Sequence, residues 1–290
     1  MVEAAGVVGR FEVGVEPDVE FGRGGARALV CDAFRPVGAR AGLAAAILVH
    51  GGGWRRGSRA SMHRHARRLA ERGIVAVTPE YRPTGEAPWP GHLEDVKACL
   101  RWVRSHASRL GVHPDRIALV GFSAGAHLSL MAAGTPGDPR FSGRGGSGEA
   151  SEVVNAVAAF FPPIRIQPGA ERDNGELPAS AGESLAPGLD AAGAREASPI
   201  EYVGPGFPPT LTLHGTADEV VSCRTSMQLF EALQAAGVEA DLRLYAGQRH
   251  EFVHIEAMSE LAMADVATFL RRVLVERERF EFSQQEVMAL

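Results

Sequence analysis

Lysine is almost missing from this chain: Lys97 stands alone among 30 basic residues, the rest arginine, and 35 acidic residues leave a formal net charge of -5. That balance lends no support to a nucleic-acid partner, which calls for a basic face. Long apolar runs are missing too. No stretch approaches the ~18 uninterrupted apolar residues of a membrane-spanning helix. The opening MVEAAGVVGRFEVGVEPDVEF carries glutamates and lacks an apolar segment behind a basic start, so no membrane association and a cytoplasmic location are expected. Cysteine is scarce and odd in number. Cys31, Cys99 and Cys223 are scattered, so buried thiols are expected in place of a bridge, which fits a reducing compartment. Internal repeats are absent, and no Gly-rich stretch continues into the Lys-Ser/Thr of a phosphate loop.

What is present is a globular composition, 45% hydrophobic and 22% charged over 290 residues, from which one domain spanning 1–290 is expected. Short apolar runs alternate with segments of helical period, the mark of a mostly parallel sheet with helices on both faces. Strands are expected at 44–49, 74–77, 117–120, 153–161, 210–214 and 238–245. A helix is expected over 92–110, because Leu93, Val96, Leu100, Val103, Ala107 and Leu110 recur every three or four residues and leave the arginines facing water. Further helices are expected after Ser123, from near Ser222 to Gly237, and over 255–275. The segments 134–152 and 165–198 are rich in Gly, Pro, Ala and Ser without period. They are expected to be mobile excursions, the second a candidate lid.

Gly121-Phe122-Ser123-Ala124-Gly125 matches G-x-S-x-G between a predicted strand and a predicted helix. Small flanking residues there permit the strained turn that lifts a serine hydroxyl clear of a sheet. By itself the pentapeptide is as consistent with a structural Gly/Ser turn as with a nucleophile; its context favours the nucleophile. About seventy residues upstream, His50-Gly51-Gly52-Gly53-Trp54 ends another predicted strand. Consecutive glycines leave backbone N–H groups free to hold a developing oxyanion, and the N–H of Ala124 would complete the hole.

A serine needs an imidazole to take its proton, and the chain has ten histidines. His250, in a loop between a predicted strand and the last helix, is favoured as the base over His254. His63 and His65 lie two apart, do not share a helical face and read as solvated, so no metal is expected. His127 is a candidate for the pocket wall, and His214 reads as a structural imidazole. Asp218, just past a predicted strand end, suits the acid that orients the base, with Glu219 as the alternative. Trp54, Phe122, Phe161 and Phe252 are candidate apolar walls, core packing being favoured for Phe161.

These residues resemble the α/β-hydrolase superfamily, in particular the carboxylesterases with an HGGGW oxyanion sequence that are related to hormone-sensitive-lipase-like and feruloyl-esterase-like enzymes. The resemblance runs from about residue 19 to 275 and rests on His50 to Trp54 with Gly57 and Ser58, Glu80-Tyr-Arg82, Leu93-Glu-Asp-Val96 with Trp102, Gly121 to Leu130, Ser198-Pro-Ile200, Pro208-Pro209, His214-Gly215 with Asp218, and His250. Glu80 stands where many relatives have Asp, and Ala126 where Gly is common. The resemblance implies an α/β-hydrolase fold, a triad of Ser123, Asp218 and His250, and an oxyanion hole of Gly52, Gly53 and Ala124. It further implies a serine carboxylesterase without cofactor, acting on small or aromatic esters; homodimer formation is left open. An arylformamidase-type amidase, whose glycine loop is similar, and a non-catalytic receptor or scaffold on the same fold are the rival readings.

Overall fold

The structure is a computed structural model that describes residues 10–167 and 180–277. Eight strands form one sheet: β1 (Val13–Gly24), β2 (Arg27–Pro36), β3 (Leu43–Val49), β4 (Val75–Pro79), β5 (Val112–Phe122), β6 (Ala156–Phe160), β7 (Thr210–Gly215) and β8 (Ala240–Tyr245). Their spatial order is β1-β2-β4-β3-β5-β6-β7-β8. The first two strands join antiparallel and the remaining six run parallel. This is the expected α/β-hydrolase architecture.

The central strands carry apolar runs because both faces are covered. Along β3, Ala45, Ile47 and Val49 enter one core while Ala46 and Leu48 enter the other. The first core is closed by α2 (Gly91–Ser105), α3 (Ala107–Leu110), α4 (Ala124–Gly134) and α7 (Arg224–Ala235). The second is closed by α1 (His63–Ala70) and α8 (Glu256–Leu274), through Ala66, Leu69, Met263, Val266, Phe269 and Leu270. Fully burying each such Leu or Phe stabilises the fold by roughly 1.5–3 kcal/mol. Two short helices, α5 (Ser180–Leu185) and α6 (Ala191–Glu196), lie within the expected lid segment. Residues 168–179 of that segment fall outside the described residues.

Five expectations need correction. The first strand is expected at Ala44, whereas the structure places an antiparallel hairpin before it; Pro17 and Asp18 interrupt β1 where its register shifts between Glu16 and Val19, which hides the alternation. The helix expected over 92–110 breaks at His106, which leaves helical geometry (φ −104°, ψ 18°) as its ring stacks on Trp102. Arg101 on that helix does not face water, and neither does its neighbour Lys97. Both are buried against Glu152, whose Oε2 lies 3.0 Å from Lys97 Nζ, while Arg101 donates to Ser142 O at 2.8 Å and Gly145 O at 2.5 Å. Segment 134–152 is thereby tied to the body of the protein, with its own Phe141 buried. His65, finally, is 1% exposed and bonds Ser259 Oγ at 2.9 Å, so it is not solvated.

Candidate active site

Ser123 sits at the junction of β5 and α4 with φ 52° and ψ −117°, a conformation that L-residues adopt only under constraint. The constraint comes from both sides. Its N–H donates to Phe160 O at 2.9 Å, and its carbonyl accepts the N–H groups of Ala126 and His127 at 2.9 and 3.1 Å. The flanking glycines are steric requirements: a Cβ at Gly121 would lie 2.3 Å from Gly125 O, and one at Gly125 would lie 2.1 Å from Val49 O. The G-x-S-x-G spacing is therefore what this close approach of α4 to β3 and β5 demands.

His250 follows β8 through a turn at Gly247 (φ 70°) and reaches over the serine. Its Nε2 lies 3.1 Å from Ser123 Oγ and its Nδ1 lies 2.7 Å from Asp218 Oδ2. Neutral His250 satisfies both contacts when Nδ1–H donates to the carboxylate and Nε2 accepts the serine hydroxyl. Asp218 itself is buried. Its Oδ1 accepts the N–H groups of Val220 and Val221 at 2.8 and 2.9 Å, and its Oδ2 also accepts from His214 Nε2 at 3.1 Å. Burial alone would raise this carboxyl, but the bonds from His214 and His250, with the Val221 N–H, hold it well below the usual carboxylate range. It is ionised at neutral pH. His214, read from the sequence as structural, thus touches the acid directly; its Nδ1 is held by Ser226 Oγ at 2.6 Å.

Beyond β3, the glycine loop turns at Gly52 (φ 120°), Gly53 (φ 60°) and Trp54 (φ 60°). Gly52 O accepts the N–H groups of Arg55 and Arg56 at 3.3 and 3.2 Å, and a Cβ on Gly52 would lie 2.0 Å from Arg56 O. No hydrogen bond among the described residues takes up the N–H of Gly52, Gly53 or Ala124. Gly51 packs against the serine turn, a Cβ there being 2.9 Å from Phe122 O. Three free amides are thus carried by two backbone turns that press on one another at Ser123.

Trp54 and Phe252, both expected as substrate walls, go elsewhere. Trp54 is 3% exposed and its Nε1–H donates to His127 Nδ1 at 3.2 Å, while His127 Nε2 donates to Ala197 O at 2.7 Å. Burial pushes His127 down to about 4, so it stays neutral, and neither ring lines the cavities at Ser123. Trp54 anchors the glycine loop from beneath. Phe252 is buried with Phe160, Phe161 and Tyr245. Phe122 does line a cavity, and so does Phe161, whose ring centroid is 4.5 Å from that of His250. Glu219 is exposed and pairs with Arg249, and His254 lines the same cavity as Phe122 without contacting Ser123.

Ser123 lies between two cavities. One, of about 290 Å³, is walled by Met62, Phe122, Phe161, Val253 and His254. The other, of about 410 Å³, is walled by Gly53, Arg55, Ser184, Val220 and His250; Gly52, Arg56, Ser123 and Glu251 border both. A reacting carbonyl at Ser123 would have room for a group on each side. Among the described residues no group of three or more His, Cys, Asp or Glu is placed to hold a metal ion. No described helix is long and apolar enough to cross a membrane.

The family model described as BD-FAE matches residues 31–233. Similar proteins of Mycobacterium tuberculosis include the probable carboxylic ester hydrolase LipM, 35% identical over 64% of this chain and 44% of that protein, and the esterase LipQ, 31% identical over 76% and 53%. The chain spans about half the length of these relatives. Among solved structures, the propionate-bound esterase Est2 of Thermogutta terrifontis superposes with a TM-score of 0.73 at 27% identity, covering 93% of this chain and 95% of that one.

Proposed function

The chain belongs to the BD-FAE family, and from that premise we propose that it is a serine carboxylesterase that cleaves small-molecule esters through an acyl-enzyme on Ser123. The observation that carries this reading is the continuous path from Ser123 Oγ through His250 to Asp218, at 3.1 and 2.7 Å, beside the free amides of Gly52, Gly53 and Ala124. In this mechanism His250 Nε2 takes the hydroxyl proton as Ser123 Oγ attacks the ester carbonyl. The three amides hold the oxyanion, and Asp218 stabilises the imidazolium and fixes its tautomer. Collapse of the tetrahedral species returns the proton to the departing alcohol. Water then repeats the cycle on the acyl-enzyme, and the carboxylic acid leaves. The wall of Phe122, Phe161, Met62 and Val253 suits a short or aromatic apolar group, and the neighbouring esterase described with propionate bound fits a short acyl chain. The single eight-stranded sheet, threaded from Val13 to Tyr245, supports a one-domain organisation.

The test is hydrolysis of 4-nitrophenyl acetate and butyrate together with labelling by a fluorophosphonate probe. Wild type should turn over both and take up the label; Ser123→Ala should lose at least about 10³-fold in kcat and all labelling. Full activity in the variant would remove Ser123 from the mechanism.

A further inference from the structure

Several arginines of this molecule are met by carboxylates, and Arg104 is met by the carbonyls of Pro114 and Val153. Arg59 is held by Asp32 at 2.9 Å and by Glu80, Arg68 by Glu256 and Glu260, and Arg82 by Asp95 at 2.8 Å. Arg55 and Arg56 differ. Both are exposed and consecutive, and neither guanidinium makes a hydrogen bond or ion pair among the described residues. Both nevertheless line the cavity of about 410 Å³ that contains Ser123 and His250. Their backbone N–H groups are fixed on Gly52 O, so the two side chains start from a defined place beside the free amides.

Among the described residues the rest of that cavity offers little to neutralise them. Glu251 is the one carboxylate among its described lining residues; it is 54% exposed, and its partner is His254 at 4.0 Å. Glu219 is engaged with Arg249 and does not line the cavity. Two like charges side by side repel one another and gain nothing locally, yet at the edge of a concave, part-apolar site they create a field that draws an anion.

Resting on the esterase reading above, we infer that the ester cleaved at Ser123 carries an anionic group, a carboxylate in the simplest case, seated against Arg55 and Arg56 in the cavity on the Ser184 and Val220 side. The apolar half of the substrate then occupies the opposite cavity between Phe122 and Phe161. Guanidinium groups suit this task because they present paired N–H donors in the plane of a carboxylate. The charge can come from either half of the ester, and the substrates distinguish the two. Mono-4-nitrophenyl glutarate against 4-nitrophenyl butyrate places it in the acyl half, and 4-acetoxybenzoate against phenyl acetate places it in the alcohol half.

The quantity to read is the ratio of kcat/KM for the anionic ester to that for its neutral counterpart. For one of the pairs this ratio should exceed one at low salt, fall about threefold or more in each of Arg55→Gln and Arg56→Gln, and fall further in the double variant. It should rise in Glu251→Gln and drop toward the double-variant value in about 0.5 M NaCl, where screening is strong. Neutral esters preferred in both pairs, with ratios that ignore the arginine variants and salt, would overturn the inference while leaving the esterase reading intact. Should no ester be cleaved, the esterase reading fails and the anion site is still decided by calorimetry of monomethyl glutarate on Ser123→Ala. Binding that disappears when Arg55→Gln and Arg56→Gln are added supports the site. No binding, or binding unchanged by them, rejects it.

Discussion

Asp218 receives hydrogen bonds from two backbone N–H groups and two imidazoles, and only one of the imidazoles reaches the serine. The other, His214, does for the acid what the acid does for His250: it fixes a direction. A hydrogen bond to a charged group is worth about 1.5–3 kcal/mol, so His214→Phe should lower kcat for 4-nitrophenyl butyrate by about tenfold or more with little change in KM. Unchanged kcat would reduce His214 to packing. A second prediction concerns Gly52, where a Cβ would strike Arg56 O at 2.0 Å and where φ is 120°. Gly52→Ala should displace the neighbouring amides and cost about 10²–10³ in kcat, read in the same assay with circular dichroism to verify the fold. Both residues stand in motifs visible in the sequence. What the sequence withheld was direction: Trp54 follows the glycines and looks like a pocket wall, but its positive φ turns the indole inward to His127. A residue's place in a motif gives no backbone dihedral, so Trp54 and Phe252 were not separable from Phe122 on pattern alone.

At the scale of elements, the strands that carry the site were legible because burial on both faces leaves unbroken apolar runs such as β3 and β6. The hairpin β1–β2 was not, since an irregular register erases the period-2 alternation on which such a reading depends. Segment 134–152 was illegible for another reason. Its order comes from tertiary contacts, chief among them Glu152 against Lys97 and Arg101, which no local period can announce. Burial lowers Lys97, and the N–H of Gly137 together with Lys97 keeps Glu152 ionised against the opposing effect of its own burial. Removing the carboxylate therefore strands two buried cations. Glu152→Gln should destabilise the fold by about 3–5 kcal/mol, measured as a lowered urea midpoint. Lys97→Met, which leaves Glu152 with Arg101, should cost clearly less. Equal losses would mean that the segment is held by Phe141 and not by charge.

For the molecule as a whole, both faces of the sheet bury neutral imidazoles, and this couples the stability of the fold to pH. Burial, the largest influence on each, pushes His65 to about 3 and His92 and His127 to about 4. In the unfolded chain each returns to about 6.5. Their folded values are depressed, so below pH about 6.5 the unfolded state binds more protons and the contribution of these groups to stability falls as pH drops. Above that pH it is fully present. Each histidine contributes a slope of at most about 1.4 kcal/mol per pH unit, so the three together approach about 4 kcal/mol per unit between pH 6 and 4. Asp218, also depressed, adds to the loss only once pH falls below about 4. Thermal midpoints should accordingly be level from pH 8 to about 7 and decline steeply below pH about 6. In His65→Gln the absolute stability will be lower, because the stack on Phe122 and the bond to Ser259 change, but the slope below pH about 6 should be shallower. A slope identical to that of wild type would show that His65 is not kept neutral by the α1–α8 packing.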